Sequence, residues 1–247
     1  MPIDYNKVAK TYDLTRKSAE SIIDIFNRKV RLLNEKNILD FGCGTGNYLF
    51  DLIKKFPANY YGLEPSEGMR SIAKKKNPAV IIREGDHTNI PFADEFFDFI
   101  FLTDVIHHIP DLNCLFDLLC KKIKYDGIIC ILTSSHEQIE TRWYNKYFPS
   151  LSNNEKRRYP DIDQIIHCAQ KNGLSLKEVE LINPGNRNIV TKEFIKMVEQ
   201  KNYSMFQLLN ENEYQKGLES MKLDIGKEIT GEVYETLVWL TKNILKI

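Results

Sequence analysis

The stretch Leu39-Asp40-Phe41-Gly42-Cys43-Gly44-Thr45-Gly46-Asn47 decides how this chain folds. Its apolar beginning predicts a short strand, Ile38–Phe41, and its three glycines predict a turn whose backbone can approach a ligand closely. In an open α/β sheet, ligands bind beyond the carboxyl ends of the strands. We therefore expect this loop to be a ligand-binding turn between a first strand and a helix.

The spacing of the glycines argues against two common kinds of ligand loop, and a nicotinamide-dependent dehydrogenase is the weaker alternative. A dinucleotide fingerprint needs G-x-G-x-x-G, whereas here the glycines stand at 42, 44 and 46 and Asn47 follows. A phosphate-binding P-loop ends in Gly-Lys-Ser/Thr, which is absent at this point. The loop therefore predicts a ligand of another class.

Apolar runs alternate with helix-periodic segments on the carboxyl side of the loop, as βαβ units require. The predicted strands are Ile38–Phe41, Tyr60–Leu63, Val80–Ile82, Phe96–Leu102, Ile128–Leu132, Leu174–Leu181 and Tyr234–Leu240. Ser66 is a predicted helix N-cap, and Asp126-Gly127 is predicted to turn the chain into the fifth strand. The pattern predicts an α/β fold with a doubly wound, mostly parallel seven-stranded sheet.

The remaining segments predict helical insertions into a single domain, 1–247. Its core is expected over 20–135, 160–183 and 232–247. Residues 136–159 and 186–230 carry helical patterns without strand signals. We expect these two segments to form a helical lid over the open end of the sheet.

Composition limits the partners. Lys and Arg number 34, as do Asp and Glu, so the formal net charge is zero, which makes nucleic acid an unlikely partner. The five cysteines form no Cys-x-x-Cys pair, and the amino terminus is polar. No apolar stretch is long enough to span a membrane. These features predict a soluble, cytoplasmic protein.

Three motifs in order resemble those of the class I S-adenosylmethionine-dependent methyltransferases of the small-molecule type. The first is Leu39–Asn47, the second Gly62–Ser66 and the third Gly85–His87 followed by Ile90-Pro91-Phe92. The run Phe97–Asp111 resembles the family's fourth strand and following loop. The resemblance implies a Rossmann-like methyltransferase fold with S-adenosyl-L-methionine as cofactor and S-adenosyl-L-homocysteine as product.

The resemblance also implies roles for residues. Glu64 would bind the ribose hydroxyls, Asp86 the adenine amine, and Met69 would lie against the adenine ring, although an ordinary core role fits Met69 equally well. The full set of implied cofactor-binding residues is Asp40, Gly42, Cys43, Gly44, Gly46, Glu64, Pro65, Met69, Asp86, His87 and Thr103.

The candidate catalytic residues are His108 and, as its partner by the same analogy, Tyr12. A histidine can accept a proton from an amine or hydroxyl, but a structural role for the His107-His108 pair is an open alternative. We expect no metal site, because adjacent strand-like residues would point apart. The sequence predicts methyl transfer to a nitrogen or oxygen of a small molecule. Methylation of RNA or protein, and cofactor binding without catalysis, are the alternatives.

Overall fold

The computed structural model describes residues 17–30, 36–182 and 188–243, and these contain one mixed sheet. Its strands are β1 (Asn37–Phe41), β2 (Asn59–Leu63), β3 (Ile81–Arg83), β4 (Phe97–Thr103), β5 (Ile123–Thr133), β6 (Leu174–Ile182) and β7 (Glu235–Lys242). The spatial order is β3-β2-β1-β4-β5-β7-β6. The first five strands pair in parallel, and β7 pairs with β5 in antiparallel fashion. The predicted seven-stranded, mostly parallel α/β fold is confirmed.

The α-helices connect the strands or form a separate helical unit. In chain order they are α1 (Glu20–Val30), α2 (Asn47–Lys55), α3 (Glu67–Lys76), α4 (Leu112–Lys122), α5 (His136–Thr141), α6 (Ser150–Lys156), α7 (Ile162–Lys171), α8 (Lys192–Glu199) and α9 (Glu211–Leu223). Side chains cap several of them, as the sequence predicts for Ser66, whose hydroxyl accepts from the backbone N–H of Met69 at 3.3 Å.

The core of the sheet is apolar on both faces, as parallel strands between two helical layers require. In β4, every residue before Thr103 is buried. On one face, the ring of Phe26 in α1 lies 5.2 Å from Phe99, 5.0 Å from Phe101 and 6.1 Å from Trp239, measured between centroids. Phe26 therefore packs α1 onto β4 and β7, and the pairing of β4 with β1 places the loops at the carboxyl ends of these two strands side by side.

The predicted turn at Asp126-Gly127 is wrong, because these residues form a bulge within β5. Phe97 pairs with Ile123, and Phe99 pairs with Ile128. An advance of two residues along β4 is therefore matched by an advance of five residues along β5. A Cβ at position 127 would come 2.7 Å from Cδ1 of Ile123, so glycine is needed for close packing. The strand therefore starts at Ile123, five residues before the predicted start.

The chain divides into two compact units. The first comprises 1–133, 162–180 and 236–247 and contains most of the sheet. The second comprises 134–161 and 181–235 and has an apolar core of its own, in which Phe148, Phe206 and Met221 are fully buried. Within the described residues, no helix has both the length and the apolar character needed to cross a membrane.

Candidate functional site

The glycine loop turns sharply where β1 ends. Gly42, Gly44 and Gly46 have φ angles of 75°, 53° and 76°, in the left-handed region that favours glycine. The backbone N–H groups of Gly42 and Cys43 both donate to the carbonyl of Leu63, at 2.7 and 3.0 Å. The loop is thus bonded to the end of β2, and β2 is the strand that the second motif follows.

Glu64 is the first residue after β2 and is buried. Its Oε2 accepts from the backbone N–H of Gly44 at 3.0 Å, and its Oε1 accepts from that of Ser66 at 2.8 Å. Burial raises the pKa of Glu64, while these two backbone hydrogen bonds and Arg70 act to lower it. A carboxylate has about four acceptor positions. Glu64 can therefore still accept two hydrogen bonds, as binding of a vicinal diol requires.

Arg70, which belongs to none of the three motifs, holds this loop in place. Its Nη1 donates to the carbonyl oxygens of Glu64 at 2.9 Å and Pro65 at 2.6 Å, and its Nη2 pairs with Glu84 at 2.8 Å. Only 11% of the Arg70 side chain is exposed. No sequence pattern indicated this role, because an arginine that precedes a run of lysines in a helix is typical of a solvated face.

Asp40 lies near the carboxyl end of β1 and is only 1% exposed. Its Oδ1 is buried and has no hydrogen-bond partner among the described residues. Burial raises the pKa of Asp40 well above its ordinary value, and the nearby Glu64 carboxylate raises it further. A buried acceptor without a partner is costly in a folded protein. The site therefore fits a ligand that brings a hydrogen-bond donor or positive charge.

The third motif forms a tight turn after β3. Oδ1 of Asp86 accepts from the backbone N–H and the hydroxyl of Thr88, at 2.8 and 2.6 Å. The Thr88 hydroxyl lowers the pKa of Asp86 most, against a smaller opposing effect of burial, so the carboxylate stays ionised at neutral pH. The carbonyl of the half-buried His87 accepts from Sγ of Cys114 at 3.2 Å. Met69 of α3 is fully buried, at 1% exposure.

The predicted catalytic histidine follows β4. After Thr103, Asp104 has a φ of 57°, and a single 3₁₀ turn, Ile106–His108, follows. His107 is half-buried and His108 is exposed, with their ring centroids 4.0 Å apart. The expectation that these rings point apart is wrong, because the pair lies in a 3₁₀ turn and not in a strand.

Two further sequence predictions concern Tyr12 and a metal site. Tyr12 lies outside the described residues. No group of three or more His, Cys, Asp or Glu side chains able to hold a metal occurs in the part of the chain that is described. Met69 lies within α3. The remaining predicted residues lie at the carboxyl ends of β1 and β4 or on the loops that follow β1, β2 and β3.

Comparison with known proteins identifies the class. Residues 14–179 match the model of a family described as the methyltransferase domain, and the chain belongs to that family. The chain is 31% identical over 192 residues to an uncharacterized methyltransferase of Anoxybacillus flavithermus, covering 72% of this chain and 88% of the relative. It is 26% identical to a demethylmenaquinone methyltransferase of Lactobacillus johnsonii, covering 67% and 73% of the two chains.

Solved structures share the fold. A protein of Anabaena variabilis, described as a methyltransferase from an antibiotic biosynthesis pathway, matches with a TM-score of 0.74 and 24% identity over 93% of this chain and 99% of that one. The phosphoethanolamine N-methyltransferase 2 of Haemonchus contortus, solved with phosphomonomethylethanolamine and S-adenosylhomocysteine, matches with a TM-score of 0.55 and 19% identity, covering 91% and 53%. The chain is a class I methyltransferase, an enzyme that uses S-adenosylmethionine.

Proposed function

We propose that this enzyme transfers a methyl group from S-adenosylmethionine to a nitrogen or oxygen atom of a small molecule, with His108 as the proton acceptor. The observation that carries the proposal is the exposed His108 ring in the 3₁₀ turn at the carboxyl end of β4. A nucleophile that arrives protonated needs such a base. The formal net charge of zero favours a small acceptor over a nucleic acid.

The cofactor would be held by the residues around the glycine loop. When bound, S-adenosylmethionine supplies a methyl group on a positively charged sulfur. Glu64 would accept hydrogen bonds from the ribose hydroxyls, and Asp86 would accept one from the adenine amine. Positive charge would relieve the unpartnered carboxylate of Asp40. Further contacts would come from Gly42, Cys43, Gly44, Gly46, Pro65, Met69, His87 and Thr103.

The second unit, 134–161 and 181–235, is where we propose that the acceptor is selected. Function on a shared fold depends on the particular residues grafted onto it. Tyr12 would assist His108, as the family resemblance implies. The five free cysteines agree with a reducing compartment, and we propose the cytoplasm.

A carbon acceptor is the second candidate, because a relative from Campylobacter jejuni is named as a ubiquinone/menaquinone biosynthesis C-methyltransferase. In that case the methyl group would be transferred to a carbon atom of the acceptor. Methylation of RNA or protein, and cofactor binding without turnover, are the further alternatives.

The test is to incubate the purified protein with methyl-labelled S-adenosylmethionine and a fractionated cell extract. Label in the metabolite fraction, on nitrogen or oxygen by mass spectrometry, is the expected result. Label on carbon would replace the first proposal with the second. Label only in RNA or protein, or binding of S-adenosylhomocysteine without any label transfer, would overturn both.

A further inference from the structure

The turn after β3 carries the side chain of Asp86 on a backbone that is held tightly in place. The backbone N–H of Asp86 donates to the carbonyl of Asn89 at 3.1 Å, and that of Asn89 donates to the carbonyl of Asp86 at 3.2 Å. A Cβ atom at Gly85 would come 2.5 Å from the carbonyl oxygen of Asn89 and 2.5 Å from Cδ1 of Leu63, so the turn packs closely against the end of β2. The position of the turn is thus fixed, and the direction of the Asp86 carboxylate depends on the bonds of the side chain itself.

Thr88 donates two hydrogen bonds to the carboxylate of Asp86. The backbone N–H of Thr88 lies 2.8 Å from Oδ1 of Asp86, and the Thr88 hydroxyl lies 2.6 Å from the same oxygen. Asp86 is half-buried and Thr88 is exposed. A carboxylate has about four acceptor positions. The two bonds from Thr88 therefore orient the carboxylate and leave acceptor positions for a ligand.

The same bonds favour the ionised form of Asp86. The Thr88 hydroxyl lowers the pKa of Asp86 most, burial opposes this, and the backbone N–H of Thr88 lowers the pKa further. An ionised carboxylate accepts hydrogen bonds and donates none. It can therefore accept from an amine on a ring, whereas a ring that lacks the amine offers it no donor at that point.

We propose that Thr88 is a positioning residue for the cofactor, whose hydroxyl holds the Asp86 carboxylate in the orientation that accepts a hydrogen bond from the adenine amine. The proposal rests on the function proposed above, in which Asp86 binds this amine. A side chain that is already held in its binding orientation loses less conformational freedom when the ligand binds. Without the hydroxyl, only the backbone N–H of Thr88 would still hold the carboxylate, and selection for the amine would weaken.

The experiment compares two ligands that differ in the adenine amine. One is S-adenosylhomocysteine, and the other is its deamino analogue, in which a hydrogen atom replaces that amine. Isothermal titration calorimetry on the full-length protein gives the affinity for each ligand, and the ratio of the two affinities is the quantity compared. The wild type should prefer S-adenosylhomocysteine about tenfold, as expected for one hydrogen bond to a charged group.

Variants of the turn separate positioning from a general loss of structure. Thr88→Val and Thr88→Ala both remove the hydroxyl, and each should lower the preference for S-adenosylhomocysteine about threefold. Thr88→Ser keeps a hydroxyl and should retain the wild-type preference. Asn89→Ala changes an exposed side chain of the same turn and leaves the backbone bonds of Asn89 in place, so the preference should not change.

A purely structural role for Thr88 predicts a different result. Loss of the hydroxyl would then weaken the binding of both ligands equally, and their ratio would stay at the wild-type value. That outcome would overturn the proposal, as would an equal fall of the ratio in Thr88→Val and Asn89→Ala.

The wild-type measurements keep the two proposals apart. If the wild-type protein does not bind S-adenosylhomocysteine, the proposed function itself fails. If it binds both ligands equally well, Asp86 does not bind the amine, and the role of Thr88 is refuted with that contact. If it prefers S-adenosylhomocysteine and Thr88→Val keeps the full preference, only the role of Thr88 is refuted.

Discussion

The side chain of Val105 lies against the Cα atom of Gly42. A Cβ atom at position 42 would come 2.6 Å from Cγ2 and 3.0 Å from Cγ1 of Val105. Val105 directly precedes the 3₁₀ turn that carries His108, and Gly42 begins the glycine loop. The contact therefore joins the loop after β1 to the loop after β4, the two segments expected to bind cofactor and to accept a proton.

Replacing Gly42 by alanine should destabilise the protein for two separable reasons. The left-handed backbone costs a residue with a Cβ about 1–2 kcal/mol. The clash with Val105 adds about 1–3 kcal/mol of overpacking. The free energy of unfolding, measured by urea denaturation, reports the sum.

Gly226→Ala is the matched control for that variant. Gly226 has a φ of 81°, but a Cβ there would meet nothing within 4 Å, so only the backbone cost applies. Adding Val105→Ala to Gly42→Ala should recover part of the loss. If Gly42→Ala costs no more than Gly226→Ala, the contact with Val105 is unimportant.

Glu64→Gln should weaken binding of S-adenosylhomocysteine by about 1–3 kcal/mol. In the wild-type protein, the backbone N–H groups of Gly44 and Ser66 donate to the carboxylate of Glu64. In the variant, the side-chain NH₂ group would face one of these two N–H groups, so that two donors would meet. Isothermal titration calorimetry measures the change. Glu67→Gln, at an exposed position on the neighbouring helix, should bind as the wild type does. Undiminished affinity in a folded Glu64→Gln protein would place the ribose elsewhere.

The sequence predicted the local structure of the first two motifs well, because its determinants are local. The apolar run of β1, the alternate glycines and the Ser66 cap each depend on neighbours in the chain. A parallel sheet then places loops that follow β1, β2 and β4 at one edge. The order and spacing of the motifs were therefore enough to predict the fold and the place of Glu64 directly after β2, although not the partners of each side chain.

What the sequence could not reveal depends on contacts between distant residues or on strand pairing. Arg70 is recognisable only when its bonds to the carbonyls of Glu64 and Pro65 are seen. The bulge at Gly127 is visible only from the pairing of β5 with β4, because Asp-Gly is also a common turn. Arg142 and Glu155 likewise stand 13 residues apart, with no motif connecting them.

Asp40→Asn should stabilise the protein at neutral pH by about 1–3 kcal/mol, because it removes a buried charge with an unpartnered oxygen. Burial raises the pKa of Asp40 in the folded state above its ordinary 3.8. Between these two pKa values the folded state binds more protons than the unfolded state, so wild-type stability falls as pH rises. The advantage of Asp40→Asn should therefore vanish below about pH 3.8. A difference that does not depend on pH would contradict this account.

Asp224→Asn is a control variant for which the opposite change in stability is expected. Hydrogen bonds from Lys146, Lys227 and Tyr147 lower the pKa of Asp224. Its ionised form therefore contributes stability above pH 3.8, and this contribution is lost as pH falls through the depressed folded-state pKa. Urea denaturation between pH 3 and pH 8 should show Asp224→Asn less stable than the wild type at neutral pH, whereas Asp40→Asn is more stable.

His108→Gln should lower turnover by about 10²- to 10⁴-fold, the usual contribution of a general base, while the affinity for S-adenosylhomocysteine stays the same. Label transfer to the identified acceptor and calorimetry measure the two quantities separately. His167→Gln is the control, because His167 is an exposed histidine on α7 with no bonded partner among the described residues. A proton-accepting histidine also makes turnover fall at acid pH, and this fall should disappear in His108→Gln. Full turnover in that variant would assign the His107-His108 pair a structural role, and the acceptor would then need no base from this turn.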